Sequence, residues 1–528
     1  MAFYKTPGVY IEEKSAFPNS IVAVETAVPA FIGYTEKAER LGKTSFNKPI
    51  RVTSFVEYEQ FFGGAPDYLF KVVEKEDDQD GETFPLGKGA DKKEYKIQWT
   101  DKLYRLHNCV KLFYQNGGGN CWIISVGNYE DTIEKDSLVD AVGKLLDEPE
   151  PTMVLAPDAL FLKNSEDEYQ DTLDVYKAIL DHCNKTMSRI GIFDVPGGDS
   201  EKKLERVMVD DLIEKFRSGI GTNCLDYGAA YFPWLETNVI SDREITFMNF
   251  DPALKDLLCM LANGNQEITD AIERAFKTEI LPEEDRDCAF KIFVLENGQE
   301  EEKRVDEAGL ISLDAGLRES IPVYKNIIIK EAVKKINLMP PSSAMAGVYT
   351  AVDNKRGVWK APANVSLSSV SSPNVNINND LNNDLNMPLN GKAVNAIRSF
   401  PGQGAMVWGA RTLDGNSQDS RYVNVRRTMI FLEMSVKAAA RAYVFEPNDA
   451  STWTLVSGMI SNFLNNVWKA GGLFGSTPGE AYDVQIGLGT TMTANDILDG
   501  YMRITVRVAV VRPAEFIVIT FQQKMAEA

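Results

Sequence analysis

The sequence predicts a multidomain α/β (α+β) protein, and three observations lead to that class. The chain has 528 residues, more than one ordinary hydrophobic core accommodates, so about two to four domains are expected. Met153–Asp158, a helical stretch near Asp171–Asn184 and Arg189–Pro196 follow one another as β–α–β, the order of a parallel or mixed sheet covered by helices. Near the C-terminus an amphipathic helix is followed by a strand of alternating polarity. The composition, 44% hydrophobic and 25% charged, is that of a soluble globular chain.

Taken in order, Pro7-Gly8-Val9-Tyr10-Ile11 is an extended start, with Val9 and Ile11 on the face opposite Tyr10. Pro29–Gly33 is a short apolar strand. Arg51–Phe55 and Tyr58–Phe62 read as strand and helix, stopped by Gly63 and Gly64. Residues 74–102 are a charged interruption in which Glu76, Asp78, Asp80 and Gly81 imitate a calcium loop. The twelfth loop position, where a bidentate Glu is required, is Gly87, and Pro85 intrudes. A solvated surface insert is the better reading. From Leu103 an amphipathic helix leads through the glycine-rich turn Gln115–Asn120 to the strand Cys121–Val126. A phosphate loop needs the opposite order, strand then glycines then helix, and a G-K-[ST] ending.

Asp158 and Asp194 stand at strand C-ends, a place where enzymes carry carboxylates. With no phosphate loop, metal-ligand cluster or nucleophile beside them, they read as caps and loop residues. His107 and His182 fall in separate predicted helices, and two isolated imidazoles make neither a triad nor a metal site. The six cysteines (Cys109, Cys121, Cys183, Cys224, Cys259, Cys288) contain no C-x-x-C pair and read as reduced core residues. No catalytic, metal or cofactor site is expected. Residues 236–335 hold an acidic helical part, Asp251–Lys277, and β-like runs at Phe290–Leu295 and Val323–Lys330. They are expected to form an inserted outer domain. Asn374–Asn390 is loop by composition.

The helix expected over Ser451–Lys469 repeats Val456, Met459, Ile460, Phe463, Leu464 and Val467 at helical spacing. Asn448, Asp449 and Ser451 are available as caps, and Gly471-Gly472 supply the stop. Met502, Ile504, Val506, Val508 and Val510 then alternate with Arg503, Thr505, Arg507 and Ala509, the period of a half-buried strand. After Pro513 comes Phe516-Ile517-Val518-Ile519-Thr520-Phe521, apolar on both faces. Such a strand is either central in the chain's own sheet or donated to a neighbouring subunit.

A net charge of -20 argues against a nucleic-acid partner, which needs clustered cations. Arg426-Arg427 with Lys437 and Arg441 is the one basic group, read as a solvated or subunit-facing helix side. No run of eighteen apolar residues marks a membrane span, and the N-terminus lacks a signal-peptide core. Synthesis and retention in the cytoplasm are expected until another component moves the protein.

Several stretches resemble contractile tail sheath proteins, the outer sheath of contractile phages and phage-tail-like injection systems. They are the opening Pro7-Gly8-Val9-Tyr10, Tyr231-Phe232-Pro233-Trp234, and Pro340-Pro341-Ser342. The most specific is Gly357-Val358-Trp359-Lys360-Ala361-Pro362-Ala363-Asn364. Further on come Asn395-Ala396-Ile397-Arg398, Trp408-Gly409-Ala410-Arg411-Thr412-Leu413, Glu446-Pro447-Asn448-Asp449, Gly471–Gly475 and Pro513–Ile517. The resemblance covers residues 1–70, 103–235 and 340–528. It implies an N-terminal linker arm at 1–25 and a middle α/β domain at 26–235 continued at 336–372. A variable outer insertion at 236–335, a core C-terminal domain at 373–512 and a C-terminal arm at 513–528 complete the expected plan.

The resemblance further implies a structural subunit that forms six-fold rings in a helical sheath and contracts. The arm strands would be Val9, Tyr10 and Ile11 at one end and Phe516, Ile517, Val518, Ile519 and Phe521 at the other. Ile504, Val506, Val508 and Val510 would mark the acceptor strand, with Lys469 and Glu480 facing the tube. The implied partners are copies of itself, an inner tube protein, and baseplate and cap proteins, with no cofactor, nucleic acid or membrane insertion. A capsid-like or surface-layer shell, or an α/β enzyme, would be the alternatives.

Overall fold

The computed structural model of the chain describes residues 21–75, 83–87, 92–99, 103–162, 169–199, 204–262, 264–281, 290–296 and 299–519. The chain divides into two compact units, each assembled from segments distant in sequence.

The larger unit comprises Ala27–Lys355 and Ala361–Val423. Its frame is a sheet of nine described strands: β1 (Pro29–Gly33), β2 (Ile50–Val52), β3 (Cys121–Ser125), β4 (Met153–Leu155), β5 (Ile190–Asp194), β6 (Gly228–Phe232), β7 (Val365–Ser366), β8 (Asn395–Phe400) and β9 (Gly404–Val407). The spatial order is β7-β9-β8-β6-β5-β4-β1-β3-β2. The six strands from β8 to β3 run parallel, and β2, β9 and β7 add antiparallel edges. Central parallel strands are buried on both faces, which is why β1 and β5 are buried at every position and read as apolar runs, β5 up to Asp194.

Helices α1 (Leu106–Gln115), α2 (Gln170–Thr186) and α3 (Ser342–Arg356) belong to the same unit. Every residue of α3 from Ser342 to Thr350 is buried, so small and apolar residues occupy all its sides. The turn after α1 shows why glycine is needed there. Gly117 sits at φ +92, and a Cβ on it would come within 2.9 Å of the Ala351 Cβ on α3.

Five expectations are corrected. The C-terminal boundary falls after Val423, not at 373. The reason is β8, which pairs with β6, while the Asn395 side chain donates to Ala230 O and Arg411 O and accepts from Arg411 N. The stretch 236–335 shares the larger unit's hydrophobic core through Phe247, Phe250, Leu258 and Leu317, so it is not a separate body. Within it, Tyr324–Ile328 is a π-helical turn continued by the α-helix Ile329–Ile336, not a strand. Tyr324, Ile328, Ile329, Ala332 and Ile336 bury one helical stripe, and that packing overrides the strand preference of β-branched residues.

Residues 74–102 contain more than a solvated insert. Phe70–Glu74, Phe84–Leu86 and Lys93–Trp99 form a three-stranded antiparallel sheet whose Phe84, Leu86 and Ile97 are buried. Glu76, Asp78 and Asp80 lie outside the described residues. The Asn-rich stretch holds a helix, Asn379–Asn386, capped by Asn378 and buried through Leu381 and Leu385, one turn apart.

The smaller unit comprises residues 21–26, Arg356–Lys360 and 424–519. Its two long helices are α4 (Val423–Ala440) and α5 (Ala450–Lys469). Asp449 caps α5 by accepting the Thr452 N–H at 2.9 Å. Val456, Met459, Ile460, Phe463, Leu464 and Val467, the stripe read from spacing, are all buried. At the other end Gly471 N–H donates to Trp468 O and Gly472 N–H to Val467 O, with Gly471 at φ +85, a Schellman stop. The core joins this stripe to Phe431, Leu432, Leu473 and Val358. Val358 and Trp359 therefore lend the Gly-Val-Trp-Lys stretch to a core formed mainly by residues far along the chain.

Crowding at Gly472 yields a direct test. An added Cβ would lie 2.7 Å from Val467 Cγ1 and 2.8 Å from Trp359 Cε3. Gly472→Ala is expected to destabilise this unit by about 1–3 kcal/mol. Gly479→Ala, which meets open space, serves as the control in thermal unfolding. Equal midpoints for the two variants would refute the packing account.

Candidate functional site

The first place to look for chemistry is the C-terminal edge of the parallel strands, where α/β folds hold ligands. Asp158, just beyond β4, accepts N–H bonds from Tyr34 (2.8 Å), Arg105 (2.7 Å) and Leu106 (3.1 Å). Asp194, ending β5, accepts the Ser342 N–H at 2.7 Å. Both carboxylates are buried and meet the first N–H groups of α1 and α3. They satisfy helix termini, as caps do. Burial pushes Asp158 up to about 6 and Asp194 up to about 7, against the lowering effect of these hydrogen bonds.

His107 lies in α1 and His182 in α2, both held below the ordinary imidazole value by burial, His182 at about 4. Among the described residues no group of three or more His, Cys, Asp or Glu could hold a metal ion. Cys109, Cys121 and Cys183 are buried free thiols, and Cys224 and Cys259 are half-buried. No described helix is long and apolar enough to cross a membrane.

The smaller unit carries a different kind of site. β10 (Tyr482–Gln485) and β11 (Thr505–Val508) pair antiparallel. Ile504, Val506 and Val508 turn to the core that includes α5, while Arg503, Thr505 and Arg507 are exposed. Leu473 bridges Val510, and Ala509 bonds Ala481 through its N–H (2.9 Å) and Phe474 through its C=O (2.7 Å). A residue's N–H and C=O share one edge of a strand and alternate with the next residue's. Those of Val506 and Val508 therefore point to the other edge, which no described strand covers. From Ala514 to Ile519 the chain forms no strand. Phe516, Ile517, Val518 and Ile519 are 68%, 79%, 87% and 69% exposed. One unit thus holds both an open strand edge and an exposed apolar segment.

Of the other residues singled out from sequence, Val9, Tyr10, Ile11 and Phe521 lie outside the described residues. Lys469 is the exposed last residue of α5, and Glu480 is exposed with its carboxylate accepting the Ser476 N–H at 2.8 Å. They flank the Gly471–Gly475 turn. Sequence reasoning passed over Phe474, which is 71% exposed although its N–H is tied to Ala509. Its neighbour Leu473 is buried, and strand alternation between the two was the available signal.

A family model described as the phage tail sheath C-terminal domain matches residues 416–524, the stretch that carries α4, α5, β10, β11 and the exposed segment. The tail sheath protein of Vibrio phage KVP40 is 25% identical over 136 residues, 26% of this chain and 20% of that protein. The tail sheath protein of Salmonella phage ViI is 25% identical over 142 residues, 26% of this chain and 22% of that protein. The match thus spans about a fifth of the length of these curated relatives. Among solved structures, the sheath complex of the PVC extracellular contractile injection system in its contracted state is 26% identical. It has a TM-score of 0.57, with 99% of each chain covered. The contracted helical sheath of the anti-feeding prophage shares the fold at 24% identity and a TM-score of 0.57, covering 99% of this chain and 100% of that one.

By fold, then, this is a multidomain α/β protein of the kind found in contractile sheaths. Residues 416–524 match the phage tail sheath C-terminal domain, and over nearly its whole length the chain is similar to a contractile sheath protein.

The buried carboxylates make a pH prediction. Asp194 has a folded value of about 7, above the unfolded 3.8, so its contribution is full below the unfolded value and is lost as pH rises toward 7 and beyond. Asp194→Asn keeps an acceptor for Ser342 N–H and removes the titration. From pH 5 to pH 8 the variant's thermal midpoint is expected to rise relative to that of the unaltered chain. A constant difference across that range would contradict it.

Proposed function

We propose that this chain is the building subunit of a contractile sheath. It polymerises helically as stacked six-membered rings around an inner tube, and contraction drives the tube through a target membrane. The observation that carries the reading is the coexistence of the open β11 edge with the exposed Phe516–Ile519 segment in one unit. A strand from a second copy fits the first, and the segment fits the corresponding edge of another neighbour. Val9, Tyr10 and Ile11 are the N-terminal counterpart. The partners are copies of the same chain, an inner tube protein, and baseplate and terminal cap proteins. Lys469 and Glu480 are the candidate tube contacts. Assembly takes place in the cytoplasm of the producing cell, and the sheath then forms part of the tail or tail-like particle. The assembly stores the energy, so no catalytic group is required.

Magnitudes favour cooperative assembly. Burying Phe516, Ile517, Val518 and Ile519 contributes about 6–12 kcal/mol as an upper bound. Ordering about six arm residues costs about 6–12 kcal/mol. One arm is near balance, so isolated subunits associate poorly. Two arms per subunit in a closed ring gain from effective concentration.

Negative-stain microscopy of the full chain beside a version ending at Arg512 tests this reading. Hollow tubes from the full chain and dispersed subunits from the truncation are expected. Tubes from both would refute strand exchange, and closed shells or flat arrays would refute the sheath. Ile517→Asp is expected to leave the subunit's thermal midpoint unchanged, because the side chain is exposed, and to abolish tubes. A variant that still assembled would show that this segment is not buried in the assembly.

A further inference from the structure

Two chain segments that are roots of the arms end on one helix. Asn424, at the start of α4, donates through Nδ2 to Val511 O at 3.2 Å and to Trp359 O at 2.9 Å. Val511 is the residue before Arg512-Pro513, from which the exposed segment departs. Three residues along the same helix, Arg427 donates through Nη2 to Thr26 O at 2.9 Å. Further along α4, Ser435 Oγ accepts the Val24 N–H at 3.3 Å, and Ile21 and Val24 pack on the core of this unit. Residues 21–26 are the described end of the N-terminal segment.

Asn424 is 1% and Arg427 4% exposed. Three residues of α-helix rise about 4.5 Å, so the two tethers lie within one turn. We propose that the first turn of α4 is a double clamp that fixes the roots of both termini at one point, Asn424 holding the C-terminal root and Arg427 the N-terminal one. The inference rests on the sheath reading for its consequence, namely that both arms swing from a common origin. The clamp itself rests only on this unit's hydrogen bonds.

The chemistry of Asn424 makes its role specific. Both acceptors, Trp359 O and Val511 O, are carbonyl oxygens, so only the amide nitrogen satisfies them, and Asn424 Oδ1 has no hydrogen-bond partner among the described residues. An Asp here presents oxygen to two carbonyls and is worse than a deletion of the side chain. The Trp359 bond matters too, because Trp359 packs against the Gly472 stop of α5. Asn424 thereby ties the C-terminal root to the core and not to a loop. Pro513, two residues beyond the tether, cannot donate to a ladder, so the pairing that reaches Val510 through its bridge to Leu473 stops where the clamp sits.

Hydrogen–deuterium exchange on dispersed full-length subunits tests the clamp. Asn424→Ala is expected to speed exchange over 508–513 by about 3- to 10-fold while leaving 22–28 unchanged. Asn424→Asp is expected to do so more strongly, and Arg427→Met to loosen 22–28 alone. Exchange within 456–464, in the core of α5, should not move in any of them. Unchanged exchange at both roots, simultaneous loosening of 456–464, or equal effects of Ala and Asp would each overturn the clamp. If Asn424→Asp fails to fold, the Ala and Met variants carry the test alone.

Microscopy of the same proteins separates the clamp from the sheath reading. A parent chain that forms no tubes counts against the sheath and leaves the exchange result standing. Parent tubes matched in width and regularity by Asn424→Ala tubes would overturn the link between clamp and assembly. Tubes of irregular width from that variant are the expected result.

Discussion

An unpaired strand edge is the constraint on which the smaller unit depends. The backbone groups of Val506 and Val508 face an edge that no described strand covers, while their side chains pack against the α5 core. Hydrogen-bonding capacity on an ordered edge is a standing invitation to a further strand, and soluble proteins ordinarily blunt it. Here the outward face carries Arg503 and Arg507, which keep it soluble without closing it. The edge and the exposed Phe516–Ile519 segment are therefore two halves of one unmet requirement. In the proposed assembly each is met by a neighbour, because the segment leaves the body just beyond the strand that needs a partner.

In the larger unit an α/β frame buries the acids at its strand ends against helix termini. Its parallel strands bring Asp158 and Asp194 to the edge where ligands commonly bind. The first N–H groups of α1 and α3 take up both carboxylates, and α3 is buried throughout its first half. The raised values of these acids follow from burial. A perturbed carboxyl is a site candidate only when a substrate has room to reach it. Here the acids satisfy the N-terminal N–H groups of two helices.

Much of this was legible in the sequence because the governing patterns are local. The Val456–Val467 stripe, the Asp449 cap and the glycine stop were readable since each depends on residues a few positions apart. The alternation from Met502 to Val508 was readable for the same reason. What failed was long-range or compositional. Residues 373–423 read as part of the C-terminal domain, but Asn395 binds them into the larger sheet through partners at Ala230 and Arg411. The Val323–Lys330 run looked β-like because β-branched residues favour a strand, and its burial stripe made it helical. Asparagine content hid the helix at Asn379–Asn386, although Leu381, Leu385 and the Asn378 cap were in view. The Gly-Val-Trp-Lys stretch was recognisable as a motif, yet nothing local disclosed that Val358 enters a core formed by α4 and α5.

That last feature bears on how a sheath subunit can move without coming apart. The smaller unit is closed by three separate pieces of chain: Val358 enters the core of the C-terminal stretch, and Ile21 and Val24 pack against it. Once formed, it holds the origin of each terminal segment by hydrogen bonds from α4, Asn424 to Val511 and Arg427 to Thr26. In the proposed lattice the arms then act as covalent straps of fixed origin. A body that rotates and moves outward swings on straps whose far ends are paired in neighbouring sheets. Rupture of such a strap would require loss of a whole added strand, whereas swinging requires only rotation about the few bonds near Arg512-Pro513. In the proposed lattice the cheaper motion is the one that keeps every ring connected, so the proposed contraction would proceed by reorientation of bodies and not by exchange of partners.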